Sequence, residues 1–94
     1  MKKIVLKGHI KVPADDLPAV QAELPAHITQ TRAEAGCLAF EVKQRAQDPQ
    51  VFDVWERFES KQAFDQHQAR VRASRWGAIT GNVSRHYEIS EEGG

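Results

Sequence analysis

Apolar and polar side chains alternate along four stretches of this 94-residue chain, and two stretches between them repeat apolar residues every three or four positions. Alternation means a half-buried strand and the longer step a helix, so the order of these patterns constrains the fold more than any other property of the sequence. Lys3 to Val12 puts Ile4, Leu6, Ile10 and Val12 on one face and Lys7, His9 and Lys11 on the other. Cys37 to Arg45 alternates in the same way, with Leu38, Phe40 and Val42 together. Val51 to Glu59 carries Phe52, Val54, Glu56 and Phe58 on one face and Val51, Asp53, Trp55 and Arg57 on the other. Ala46-Gln-Asp-Pro-Gln is loop, which makes these two strands a hairpin. Val83 to Ser90 is the last strand.

The helices fall between the first and second strands and between the third and fourth. Pro13-Ala-Asp-Asp ends the first strand and offers Asp15 or Asp16 as a cap, with Pro18 in the first turn, where its missing N–H costs nothing. Leu17, Val20, Leu24, Ile28, Thr31 and Ala35 then make one apolar stripe, which Gly36 stops. Pro25 inside it predicts a bend or a division into two short helices. Ser60 is placed to cap a second helix running to about Ala73, with Phe64, His67 or Gln68, and Val71 on one side. Ser74 to Thr80 reads as one more short turn of helix. Strand, helix, strand, strand, helix, strand is the ferredoxin-like α+β order, βαββαβ, with both helices on one face of an antiparallel sheet. The expectation is one domain over residues 1–90 and a flexible tail over 91–94.

Charge and cysteine content narrow the function classes. Thirteen basic residues balance thirteen acidic ones, without the positive excess of a nucleic-acid binder. Cys37 is the only cysteine, so no intrachain disulfide is available. The start MKKIVLKGH meets Lys7 too soon for a signal-peptide core, and no apolar run approaches the ~20 residues of a membrane span. A cytoplasmic protein binding small molecules or other proteins is expected. A domain of this size also has much apolar surface to gain by pairing with a second copy.

Two proton-exchanging groups stand out. Glu56 shares the face of Phe52, Val54 and Phe58, so by parity its carboxyl lies between sheet and helices, where loss of water raises a carboxyl's pKa. His67, three residues after Phe64 and four before Val71, projects from the helix face that packs on the sheet. If the two meet, the pair could be a structural hydrogen bond or an acid–base site in which Glu56 fixes the tautomer of a basic His67.

The runs RAEAGCLAFEV, VFDVWERF and AFDQH, in this order and spacing, resemble the antibiotic biosynthesis monooxygenase (ABM) family over nearly the whole chain. Glu34 and Gly36 match an acidic residue and glycine before the second strand, Glu56 a Glu near the end of the third, and His67 a His in the following helix. The resemblance implies a monomer that packs sheet against sheet into a dimeric α+β barrel. That agrees with Val5, Ala39, Val51 and Trp55 on the second face, among Lys7, Glu41, Asp53 and Arg57. Relatives include quinol and polyketide monooxygenases, haem-degrading enzymes and an enzyme acting on a quorum-sensing signal. Gly8 and Phe58 stand where haem-degrading relatives use Asn and Trp, which argues against haem degradation. Downstream of the helix His, relatives often carry a proline-histidine-phenylalanine-like run; here Trp76 fills that space, either as core or as a flat wall against a substrate ring.

These readings converge on a monooxygenase without metal, flavin or other cofactor. A small quinol or polyphenol would lose a proton to His67, oriented by Glu56, and react with dioxygen among Phe40, Phe52, Phe58, Phe64, Trp76 and Tyr87. His9, His67 and His86 have no metal-ligand spacing. Arg70, Arg72 and Arg75 form a basic cluster, a solvated helix face or a guard at the pocket mouth. Arg85 and Tyr87 share a face of the last strand, so Tyr87 could offer its hydroxyl to the pocket. No phosphate loop, dinucleotide fingerprint or nucleophile elbow occurs. The alternatives are a non-oxidative isomerase using the same two residues, and a dimeric ligand-binding or stress protein without catalysis.

Overall fold

β1 (Lys3–Lys11) is the spine of the sheet. In the computed structural model, which describes residues 2–93, it pairs antiparallel with β3 (Val51–Phe58) on one side and β4 (Ser84–Glu92) on the other. β2 (Cys37–Gln44) completes the order β2-β3-β1-β4. A short 3-10 turn (Ala14–Asp16) leads into α1 (Leu17–Arg32), and α2 (Lys61–Ala73) and the short α3 (Arg75–Ile79) join β3 to β4. This is the ferredoxin-like α+β arrangement that the alternating pattern implies. No described helix is long and apolar enough to cross a membrane.

The register aligns Leu6 with Glu56, Ile10 with Phe52, and Phe40 with Glu56. Side chains of one parity therefore form a continuous surface on which the helices lie. Ile4, Leu6, Ile10, Phe52, Val54 and Phe58 from the sheet join Val20, Phe64 and Trp76 from the helices in the core. Arg32, at the end of α1, donates from Nε and a terminal nitrogen to the Phe40 carbonyl at 3.0 and 2.9 Å, tying the helix to β2. Ser60 caps α2 as expected, its hydroxyl accepting from the Ala63 N–H at 3.1 Å.

Five local expectations change. Asp16 occupies the N-cap position of α1 but makes no side-chain capping bond; the 3-10 turn closes instead with Asp16 N–H donating to the Pro13 carbonyl. Pro25 lies inside a single helix of 16 residues, not at a division. The inward positions of α1 are Val20, His27 and Thr31, with Ile28 only half-buried. Leu38 is not in the core: a bulge between Cys37 and Ala39 breaks the alternation and leaves it 47% exposed. Finally, the last strand does not stop at Ser90. Glu91 and Glu92 pair with Ile4 and Lys3, and Glu92 accepts from Arg57, so of the expected tail only Gly93 lies beyond the strand among the described residues, and Gly94 is outside them.

Candidate active site

Three elements bring one chain of acid–base groups together. β3 carries Glu56, α2 carries His67, and the turn between α1 and β2 carries Glu34. That turn sits close on α2: a Cβ added at Gly36 would collide with the Ala63 side chain. Glu34 is thereby held over His67, whose Nδ1 lies 2.7 Å from Glu34 Oε1 and 3.0 Å from Oε2. A carboxylate can only accept, so the imidazole donates through Nδ1 and its Nε2 keeps the lone pair. Arg70 donates from Nε to Glu34 Oε2 at 3.0 Å and from a terminal nitrogen to Thr31 Oγ1 at 3.0 Å, fixing the carboxylate from the far side. The expectation that Glu56 orients His67 is thus corrected, because Glu34 does.

Glu56 lies on the other side of the ring, its Oε1 3.8 Å from His67 Nε2, beyond hydrogen-bond range. Both residues are buried, His67 at 3% exposure and Glu56 at 6%. Glu56 Oε1 has no hydrogen-bond partner among the described residues. Burial, and then the nearby negative charge of Glu34, push its carboxyl up to about 7. Burial also lowers the His67 imidazole, against the opposing pull of Glu34. Glu56 therefore exchanges protons near neutrality while His67 rests neutral.

Glu56 faces a cavity between sheet and helices that Phe40, Trp76 and Tyr87 also line, with His27, Thr80 and Arg85 supplying further polar atoms. The cavity holds about 30 Å³, room for roughly two water molecules, and opens to solvent at one side. Tyr87, 37% exposed, sits on the uncovered edge strand β4, and its phenol is pushed up to about 12 by partial loss of water and then by Glu56, so it stays an O–H. Arg85 donates to Thr80 Oγ1 at 3.1 Å.

The aromatic residues expected to form one wall separate. Phe40, Trp76 and Tyr87 line the cavity, whereas Phe52, Phe58 and Phe64 pack in the core away from it. Phe58 lies against the imidazole of His67, ring centres 4.8 Å apart. Nor does His67 line the cavity; it borders a groove on the opposite side with Glu34, Gln66 and Arg70. Of the basic cluster, Arg70 belongs to the Glu34 network and Arg75 reaches Glu23 at 3.4 Å, so neither guards the mouth. His9 and His86 stack on the open sheet face, far in register from Glu56.

His27 is a site residue that the apolar stripe hid. It is 5% exposed, lies parallel to Trp76 with ring centres 4.3 Å apart, and has an Nδ1 without a partner among the described residues. Burial, then the neighbouring His67 and Arg70, lower it to about 3, so it is neutral. The spacing Val20, Leu24, His27, Thr31 is as good a helical stripe as one through Ile28, and it is the signal that points to His27.

A four-stranded antiparallel sheet with its helices on one face defines a ferredoxin-like α+β domain, and a buried carboxyl and imidazole lie between its layers. Residues 4–78 match the sequence pattern of the antibiotic biosynthesis monooxygenase family, and the chain belongs to that family. Among solved structures it is similar to a protein of unknown function from Bacteroides thetaiotaomicron described as a possible oxidoreductase, with a TM-score of 0.79, 17% identity, and 96% of this chain and 97% of that one covered. A protein from Pseudomonas aeruginosa gives a TM-score of 0.77 at 24% identity, covering 97% and 92%. An antibiotic biosynthesis monooxygenase gives 0.74 at 20% identity, covering 100% and 98%. At these identities the likeness is one of fold. No curated protein sequence matches the chain.

Proposed function

We propose that the protein is a cofactor-independent monooxygenase that oxidises a small one-ring quinol or polyphenol with dioxygen, Glu56 acting as base and His67 with Glu34 linking it to solvent. One observation supports Glu56 above all: it is unpartnered, faces the cavity and sits at about 7, where a group both takes and returns a proton at neutral pH. Family membership supplies the reaction class. Cavity size bears on the substrate: with about 30 Å³ of internal space, far below a ligand pocket of ordinary size, the site must widen at its mouth to take even one ring, which argues against anything larger.

A ring hydroxyl docked on Glu56 gives up its proton, and the electron-rich phenolate reduces dioxygen held beside it. A ring carbon bonds to one oxygen atom. The O–O bond then breaks, the second oxygen leaves as water with the hydrogen of that carbon and the proton held at Glu56, and the carbon becomes a carbonyl. In sum a dihydroxybenzene and dioxygen become a hydroxyquinone and water, with the ring as the only reductant. His67 Nε2, 3.8 Å from Glu56, and its bond through Nδ1 to the partly exposed Glu34 let a Glu56 protonated between turnovers exchange that proton with solvent before the next substrate binds. The same reading makes the protein a homodimer packed through its open sheet face.

Dissolved-oxygen uptake across a panel of hydroquinones, with chelator present, tests this in wild type and Glu56→Gln. Uptake is expected to saturate with substrate, to rise with pH through about 7 as Glu56 ionises, and to fall about a hundredfold or more in the variant. Unchanged uptake in Glu56→Gln refutes the base, and uptake no faster than spontaneous oxidation for every compound refutes the oxygenase.

A further inference from the structure

Two buried side chains that line one cavity each carry a polar atom without a partner among the described residues, Glu56 at Oε1 and His27 at Nδ1. Leaving a buried acceptor or donor unpaired costs about 1–3 kcal/mol each, so two such atoms in a space this small ask for a ligand with a polar group for each. They come from opposite layers, Glu56 from β3 in the sheet and His27 from α1 above it. His27 cannot turn away to find another partner, because one face lies flat on Trp76 and its edge meets the Phe40 ring. Its neutrality suits it to an uncharged hydroxyl or carbonyl oxygen, to which a neutral imidazole can donate or from which it can accept. Stacking on His27 also explains why Trp76 does not offer that face to a substrate.

We infer that His27 is a second anchor of the substrate site, meeting a second oxygen of the ring while the first meets Glu56, so that the cavity selects rings bearing two oxygen functions over rings bearing one. The inference rests on the cavity being the substrate site, as proposed above. His27 positions the ring, and the proton transfer stays with Glu56. An anchor on the helix side fixes the ring's orientation in the cavity and hence which carbon meets dioxygen. A substrate with one hydroxyl would leave the His27 imidazole unpaired, which is the source of discrimination in sites built around buried polar groups.

Calorimetric titration with hydroquinone and with phenol, both under anaerobic conditions, tests the inference without requiring turnover. Wild type is expected to bind hydroquinone about tenfold more tightly than phenol. His27→Phe, which keeps a ring against Trp76, should abolish that preference by weakening hydroquinone alone, and His27→Asn should restore part of it. In wild type, the Nδ1 resonance of ¹⁵N-labelled His27 should shift on adding hydroquinone and not on adding phenol, a readout that survives if the variants do not fold. Absence of hydroquinone binding, equal affinity for the two compounds, or equal weakening of both in His27→Phe overturns the inference. A preference lost in the variant, in a wild type that consumes no oxygen, would uphold the anchor and sink the monooxygenase.

Discussion

Moving the Glu56 carboxyl up to about 7 takes two ingredients, loss of water between β3 and the helices and the negative charge of Glu34 beyond the His67 ring. Substitution can separate them. Glu34→Gln keeps the burial and removes the charge, so the Glu56 pKa should fall below about 7 while staying above the ordinary 4.5. The sign for catalysis follows directly. In the proposed reaction Glu56 acts as a base when ionised, so a lower pKa would move the acid limb of the pH–rate profile to lower pH. The plateau rate should drop in the same variant, because Glu34 holds His67 by Nδ1 and in the proposed relay passes protons between His67 and solvent. A carboxyl carbon titration of Glu56 by NMR, in wild type and Glu34→Gln, reads the shift independently of turnover. A Glu56 midpoint that stays put would mean that burial alone sets it.

At the scale of elements, the site depends on how closely the α1–β2 turn seats on α2. Gly36 permits that contact, since any side chain there meets Ala63. Gly36→Val should lower stability by about 1–3 kcal/mol through overpacking and also separate Glu34 from His67. Ser60→Ala removes the cap of the same helix and should cost about 1 kcal/mol without touching the Glu34–His67 bond. Urea denaturation gives both losses, and the Nδ1 proton resonance of His67 should change in Gly36→Val only. Most of this architecture is legible in the sequence. The period of two placed Glu56 among Phe52, Val54 and Phe58, and the step of three and four placed His67 inward, because side-chain direction on regular elements is local. What stayed hidden is not local. Parity says that Glu56 and His67 share a layer, but not which imidazole nitrogen each neighbour meets, and the Glu34–His67 bond joins residues 33 positions apart. Leu38 misled because one bulge residue reverses the faces of a strand, and His27 was missed because Ile28 satisfied the apolar stripe equally well.

The whole molecule presents a contrast between the two faces of its sheet. The helix side is closed over β1, β2 and β3, while on the open side Val5 and Val51 are buried among their neighbours and Trp55 is half-buried. Trp55 and Ala39 border a shallow groove there, together with the outward-turned Leu38. Two charges on this face pair within the chain, Asp53 with Arg45 at 2.7 Å and Arg57 with Glu92, while Lys7 and Glu41 flank Trp55 in the register. A second copy docked here would meet an apolar strip with charged residues around it, the composition of an interface with an apolar core and a polar rim. Trp55→Glu removes the large apolar side chain at the centre of that strip and puts a charge there, between Lys7 and Glu41 in the register, that pairing would have to desolvate. Light scattering after size exclusion should then give the dimer mass for wild type and the monomer mass for Trp55→Glu, with an unchanged far-ultraviolet circular dichroism spectrum, because Trp55 lies outside the helix-side core. A variant that remains dimeric would move the interface elsewhere, to the uncovered helix side of β4 where Tyr87 and Ile89 are exposed. There it would close the mouth of the cavity, and hydroquinone binding would depend on protein concentration.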